Sequence, residues 1–263
     1  MLFLLSPAKT LDYDTPVPLT VARKATDPLF TAQAKDLVAV LRKLTTAQVS
    51  ELMALSDALA ALNVGRYQAW QPQATPDNSK PAVLAFNGDV YDGLDARTLK
   101  LPDLTWAQEH LVILSGLYGA LRPLDRLQPY RLEMGTALKT RRGKDLYAYW
   151  GDTVTHYLNE RLTGESKPIV VNLASQEYAK VALRPALQAR VVDCQFEDWK
   201  GDRYKVNSFF AKRARGLMAR WAVQHRVKSV SQLQAFDADG YTFDPQVSSS
   251  DRLVFRRRIS ETT

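Results

Sequence analysis

Apolar positions along the 263-residue chain follow two patterns. Between residues 33 and 44, Leu37, Val40, Leu41 and Leu44 recur at helical spacing and predict an amphipathic helix. Thr45 or Thr46 can cap a second helix carrying Val49, Leu52 and Met53, because a hydroxyl oxygen accepts from an unpaired N–H of the first turn. Ser56, ahead of Asp57, starts a third helix that runs through Leu62. Elsewhere the apolar residues form short runs that end in Gly and small polar residues. Such runs predict buried strands over 1–5, 81–86, 111–114, 169–171 and 191–196. In the last of these a period of two places Val192, Cys194 and Phe196 on one face. Helical segments between the runs give the alternation of an α/β protein. The expected fold is therefore mixed α+β, a single domain over 1–258 in which the helical part 33–70 packs on the common core. Residues 71–81 read as linker, Arg256, Arg257 and Arg258 as a short tail expected to be disordered rather than functional, and 259–263 as a disordered tail.

Four of the predicted strands run into polar loops: Ser6–Lys9, Asn87–Asp89, Ser115–Tyr118 and Asn172–Glu177. In α/β sheets the carboxyl ends of strands line the ligand crevice. If these ends converge, Lys9, Asn87, Asp89, Ser115, Tyr118, Arg122, Asn172, Ser175, Glu177 and Lys180 surround one site. The same residue types also serve as simple turn formers after strands. In a catalytic site Lys9 would hold an anion or act as nucleophile, Asp89 or Glu177 would move a proton, and Arg122 would clamp a phosphate. Arg122, Arg126 and Arg131 equally fit structural ion pairs with Asp125 and Glu133.

Charge adds a second candidate surface. The chain carries 35 Lys and Arg against 28 Asp and Glu, a net charge of +7. Nearly all of the surplus falls after residue 200. On a helix over 208–226, Phe210, Ala214, Leu217, Met218 and Trp221 share one face. Lys212, Arg213, Arg215, Arg220 and Arg226 gather on the other. That face reads as a footprint for polyphosphate, as a solvated surface, or as a helix lying on an anionic membrane. Lys139, Arg141, Arg142 and Lys144 form a second cluster.

Composition narrows the chemistry. At 46% hydrophobic and 24% charged residues this is ordinary globular material. One Cys rules out an intramolecular disulfide framework and Cys-rich metal sites. Cys194 reads as core. The three His are dispersed, so no His-built metal site or Ser/His/Asp system is expected, and no cofactor is implied. The Gly pattern matches neither a P-loop nor a dinucleotide fingerprint. No apolar run approaches the ~20 residues of a membrane span, and the N-terminus lacks a signal-peptide pattern. A cytoplasmic protein without membrane contact is expected.

Long ordered motifs carry a family resemblance: Ser6–Leu11, Phe86–Tyr91, Leu114–Gly119, Leu121–Asp125, Pro129–Thr136 and Asn172–Tyr178. Together they resemble the YaaA family of bacterial peroxide-stress-resistance proteins, over nearly the whole chain. The resemblance implies a single mixed α/β domain of unusual topology with a positively charged cleft. It also implies a helix-hairpin-helix-like element, which would fall on 45–63 with Ala54–Asp57 at the turn, where a standard DNA-binding hairpin carries glycines. It implies binding of duplex DNA and limitation of iron-dependent damage under hydrogen peroxide, with no established reaction; double-stranded or branched DNA is the expected partner, and no stable protein partner is implied. The expected function is thus sequence-nonspecific DNA binding through Lys139, Arg141, Arg142, Lys144, Lys212, Arg213, Arg215 and Arg220. The alternative is an enzyme acting on a nucleotide or nucleic acid at the strand-end site. That site comprises Ser6, Lys9, Asn87, Asp89, Ser115, Tyr118, Arg122, Arg131, Asn172, Ser175 and Lys180.

Overall fold

Four successive buried apolar residues, Leu2–Leu5, form the central strand β1 of a computed structural model that describes residues 1–258. The same sheet contains β2 (Leu111–Ser115), β3 (Gly119–Leu121), β4 (Ile169–Asn172) and β5 (Arg190–Lys200). It is completed by β6 (Arg203–Lys205), β7 (Thr242–Phe243) and β8 (Arg252–Arg257). The order is β7-β8-β5-β4-β1-β2-β3, with β6 also pairing β5. Strands β8, β5, β4, β1 and β2 are mutually parallel, and β3, β6 and β7 pair antiparallel at the margins. A parallel sheet is covered on both faces, which is why β1 and β2 read as unbroken apolar runs rather than alternating ones. The result is a single-domain mixed α/β fold.

The helical region has the expected elements: α1 (Thr31–Leu41), α2 (Thr46–Met53) and α3 (Asp57–Ala69). Thr45 caps α2 in a reciprocal box with Gln48, and Ser56 caps α3. Between the two helices Ala54 takes a left-handed conformation (φ 50°) and Leu55 is buried. The stretch 71–81 is tied down rather than free. The Gln71 N–H donates to Gln128 at 2.9 Å, and buried Lys80 donates to the carbonyls of Asp12 and Thr15 at 2.7 and 2.8 Å.

Two expectations are corrected. Residues 82–85 form one buried helical turn, not a strand. A short apolar run cannot separate the two by periodicity, and here Pro81 and the alanines favour the helix. The turn is bracketed by two small ladders, Lys80–Pro81 with Arg126–Leu127 and Phe86–Asn87 with Thr10–Leu11. The second correction concerns Arg256, Arg257 and Arg258, which are not a tail. Arg256 pairs with Glu197 and Asp244 at 2.8 and 2.9 Å. Buried Arg257 pairs with Asp198 and Asp239 at 2.7 Å each, and Arg258 stacks 4.0 Å from the Trp199 ring centroid. The expected disordered tail, 259–263, lies outside the described residues.

The remaining principal helices are α4 (Asp89–Leu94), α5 (Leu101–His110), α6 (Thr153–Arg161), α7 (Gln176–Ala182) and α8 (Ser208–His225). The long helix α8 packs on α4 at glycines. A Cβ on Gly93 would lie 2.1 Å from the Arg213 carbonyl oxygen, and one on Gly216 would lie 1.8 Å from that of Val90. The buried face of α8 is therefore small-residue: Ala211, Ala214, Gly216, Ala219 and Ala222 with Met218 and Val223. Phe210, Leu217 and Trp221 are only half-buried. Cys194 is buried on β5, and burial pushes its thiol pKa up. Among the described residues no helix is long and apolar enough to cross a membrane.

Candidate functional site

Strands β1 and β4 run side by side, with Leu4 opposite Asn172, so both chains leave the sheet at one level. From β1 the chain goes on to β2 on one side, while β4 occupies the other. Such a reversal opens a crevice at the strand ends. Ser6, just past β1, and Ser175, just past β4, meet there. The Ser175 N–H donates to Ser6 Oγ at 2.8 Å, and the two hydroxyls are 3.3 Å apart. The Tyr91 hydroxyl donates to the Ser6 carbonyl at 3.1 Å.

Two further segments close the crevice into a pocket of about 530 Å³. Pairing of Thr10 with Asn87 brings Asn87 and Asp89 against the Ser6–Lys9 loop. The other wall is Tyr130–Glu133, which approaches closely because Gly116 has no side chain: a Cβ there would lie 2.2 Å from the Leu132 carbonyl oxygen. Ser115 Oγ bonds the Tyr130 hydroxyl at 2.6 Å and accepts from the Tyr118 N–H at 2.9 Å, holding that wall from behind.

The pocket is densely charged. Lys9 Nζ lies 2.8 Å from Glu133 Oε2, and Arg131 Nη2 donates to Glu133 Oε1 at 3.2 Å. Arg131 Nε is buried without a hydrogen-bond partner. Glu177 Oε1 accepts from the Gly135 N–H at 2.8 Å. Lys212 faces Asp89 at 3.9 Å, beyond hydrogen-bonding range. Arg215 lines the same pocket, and burial lowers its pKa. Burial raises the hydroxyl pKa values of Tyr130 and Tyr178, which keeps both neutral.

Of the residues expected at the strand ends, Ser6, Lys9, Asn87, Asp89, Ser175 and Glu177 line this pocket, joined by Arg131 and, from α8, Lys212 and Arg215. The others do not. Ser115 and Tyr118 are buried behind the wall, where Tyr118 accepts from the Trp70 indole N–H at 2.9 Å. Arg122 is held by Asp125 at 2.8 Å and by the Asp27 carbonyl at 3.2 Å, so it is no clamp for this pocket. Asn172 donates to Asp193 at 2.8 Å and accepts from the Ala174 N–H at 3.0 Å. Lys180 is exposed on α7, outside the pocket lining. Tyr130, Glu133 and Tyr178 are pocket residues that strand-end reasoning missed. Tyr130 and Glu133 sit in the Pro129–Thr136 motif, which follows no strand of the main sheet.

Of the cations of α8 and Arg226, which follows it, only Arg220 and Arg226 are held by hydrogen bonds among the described residues, whereas Lys212 and Arg213 merely face carboxylates. Arg220 donates to the carbonyls of Leu94 and Asp95 at 3.1 and 2.8 Å, Arg226 to Asp103 at 2.7 Å, and Arg213 lies 3.9 Å from Asp239. Lys139, Arg141, Arg142 and Lys144 are all exposed, with Arg142 over the Tyr149 ring at 4.8 Å. Among the described residues no three His, Cys, Asp or Glu side chains gather as a metal-ligand set.

The chain is 69% identical over 261 residues to a UPF0246 protein of Leptothrix cholodnii, covering 99% of this chain and 100% of that one. A UPF0246 protein of Bordetella avium is 61% identical over 259 residues, covering 98% and 100%. One from a Polaromonas species is 60% identical over 258 residues, covering 98% and 99%. The family described as "Peroxide stress protein YaaA" matches residues 1–247, a span that includes every residue of the pocket. The chain belongs to that family.

Proposed function

We propose that this protein serves the peroxide stress response by binding duplex or branched DNA along its phosphate backbone, without reading sequence, so limiting iron-dependent damage to it. The observation that carries the reading is the loop 139–144. Lys139, Arg141, Arg142 and Lys144 are exposed and make no ion pair among the described residues, whereas most cations of α8 face carboxylates or carbonyls. Exposed cations of this kind displace counterions from DNA, and affinity then falls steeply with salt. Lys43, exposed just ahead of the hairpin-like element, is a secondary contact, while Arg66, just past it on α3, is turned to Asn63 at 3.3 Å. The test is a salt titration of duplex binding by wild type and a Lys139→Gln/Arg141→Gln/Lys144→Gln variant. The slope of log affinity against log salt is expected to flatten by roughly one unit per lost contact. An unchanged affinity and slope removes the loop from the interface.

A second reading, catalysis on a nucleotide or nucleic acid, is favoured by the meeting of Lys9, Glu133, Arg131 and Glu177 in one pocket. Lys9 would hold an anion or attack as nucleophile, with Asp89 or Glu177 moving the proton. Incubating nucleotides and DNA with wild type and Lys9→Ala, and separating the products, tests it. No product that depends on Lys9 ends this reading.

A further inference from the structure

The strand-end pocket holds more hydrogen-bond donors than its own acceptors satisfy. Four cations line it, Lys9, Arg131, Lys212 and Arg215, against three carboxylates, Asp89, Glu133 and Glu177. Glu133 is shared by Lys9 and Arg131, and one oxygen of Glu177 is taken by the Gly135 N–H. Arg131 Nε, a buried donor, is left without an acceptor. The Arg215 guanidinium, half-buried in the pocket wall, has no hydrogen bond or ion pair among the described residues. Arg131 Nε is a donor withdrawn from water with no acceptor and Arg215 an uncommitted guanidinium lining the same pocket, and the group that best pairs with both is an oxyanion with several acceptors, such as phosphate.

The remaining lining describes what the anion is attached to. Tyr130, Tyr178, Val90, Leu132 and Ala8 give an apolar and aromatic surface. Asn87 offers an amide with both donor and acceptor, while Asp89 and the second oxygen of Glu177 offer acceptors beside it. That combination suits a planar base with amino and carbonyl edges, or a sugar hydroxyl, and a volume of about 530 Å³ accommodates a nucleotide-sized body.

We propose that the pocket binds a nucleoside phosphate, with Arg215 and Arg131 holding the phosphate, Lys9 and Lys212 flanking it, and Asn87, Asp89 and Glu177 receiving the nucleoside. The inference rests on the catalytic reading for the site's location only and requires no turnover. The phosphate belongs either to a free mononucleotide or to the end of a DNA strand.

Isothermal titration of the full-length protein separates the sources. Its arms are the ribo- and deoxynucleoside monophosphates, the matching nucleosides, inorganic phosphate, and a short duplex with and without 5′-phosphates. The expected result is that at least one monophosphate, or the 5′-phosphorylated duplex over its unphosphorylated form, binds at least tenfold tighter than its counterpart lacking phosphate. Arg215→Met, which keeps the aliphatic packing, should weaken this at least tenfold while its melting temperature stays at or above wild type. Arg215→Lys, which restores charge without the fork, should recover part of the loss. Three results overturn the proposal: no phosphate-dependent binding in any arm, inorganic phosphate binding as tightly as every nucleotide, or full binding retained by a folded Arg215→Met. Binding without chemical conversion supports the proposal and counts against catalysis alone, and the salt titration of the 139–144 variant reports on DNA contact independently.

Discussion

Ser6 Oγ accepts a hydrogen bond from the Ser175 N–H at 2.8 Å, linking the loops that follow two neighbouring parallel strands. No other side chain bonds that N–H among the described residues, so Ser6→Ala leaves a partly buried donor unpaired at the mouth of the crevice. The expected loss is about 1–2 kcal/mol of stability, measured by urea denaturation. Ser6→Thr keeps the acceptor and should cost less. Equal stability of wild type and Ser6→Ala would show that water replaces the contact.

The contact between α4 and α8 depends on Gly216. A Cβ there would sit 1.8 Å from the Val90 carbonyl oxygen and 2.8 Å from the Leu94 nitrogen, both backbone atoms that cannot swing aside. Gly216→Ala should therefore force the helices apart and destabilise the protein by about 1–3 kcal/mol, or more. Gly65 in α3 is the control, because nothing lies within 4 Å of a Cβ placed on it. Gly65→Ala is expected to stabilise by about 0.5–1 kcal/mol through helix propensity. Thermal denaturation of the two variants should shift in opposite directions.

Gly216 also shows where local sequence pattern stops being informative. Strands β1, β2, β4 and β5 and the caps Thr45 and Ser56 are legible because each is set by its own neighbours: an apolar run, a period of two, a hydroxyl before a helix. The phase of α8 is not. A wheel places Phe210, Leu217 and Trp221 inward by size, but the close approach at Gly93 and Gly216 turns the alanine face in and brings Arg215 to the pocket. Arg256 and Arg257 look like tail residues for a similar reason. Their partners Glu197 and Asp198 lie on β5, and only the parallel pairing of β8 with β5 brings them together. At the candidate site, strand ends located six lining residues, whereas the Tyr130–Glu133 wall depends on a packing contact at Gly116 that no local pattern encodes.

Asp12 supplies a pH dependence. Its carboxylate accepts from the Thr15 N–H at 2.9 Å, and this is the chief cause that holds its pKa well below the usual carboxylate range; the Thr15 hydroxyl, Lys80 and Arg97 act in the same direction against desolvation. A depressed folded-state pKa contributes stability that is fully present above the unfolded value of about 4 and is lost as pH falls through the folded value. Asp12→Asn also strips the nearest carboxylate from buried Lys80 and from Arg97, which donates to Asp12 at 2.6 Å. The variant should be less stable than wild type by about 1.5–3 kcal/mol at pH 7. Denaturation curves across pH should show that gap narrowing below about pH 4. A gap independent of pH would mean that packing, not charge, sets the loss.

The pair Arg257–Asp198 should behave differently from the exposed ion pairs, because both side chains are under 9% exposed. Asp198 accepts from Arg257 Nε at 2.7 Å and from the Tyr241 hydroxyl at 3.1 Å, and Arg257 also reaches Asp239 at 2.7 Å. Removing one member leaves the other charged, buried and short of its partner. Asp198→Leu alone is expected to cost about 3–5 kcal/mol. Adding Arg257→Met removes the stranded guanidinium and replaces the pair with apolar side chains, so the double variant should recover much of that loss despite lacking the ion pair altogether. A double variant as unstable as the sum of its single variants would mean that the two residues act independently, each through its contacts with Tyr241 and Asp239.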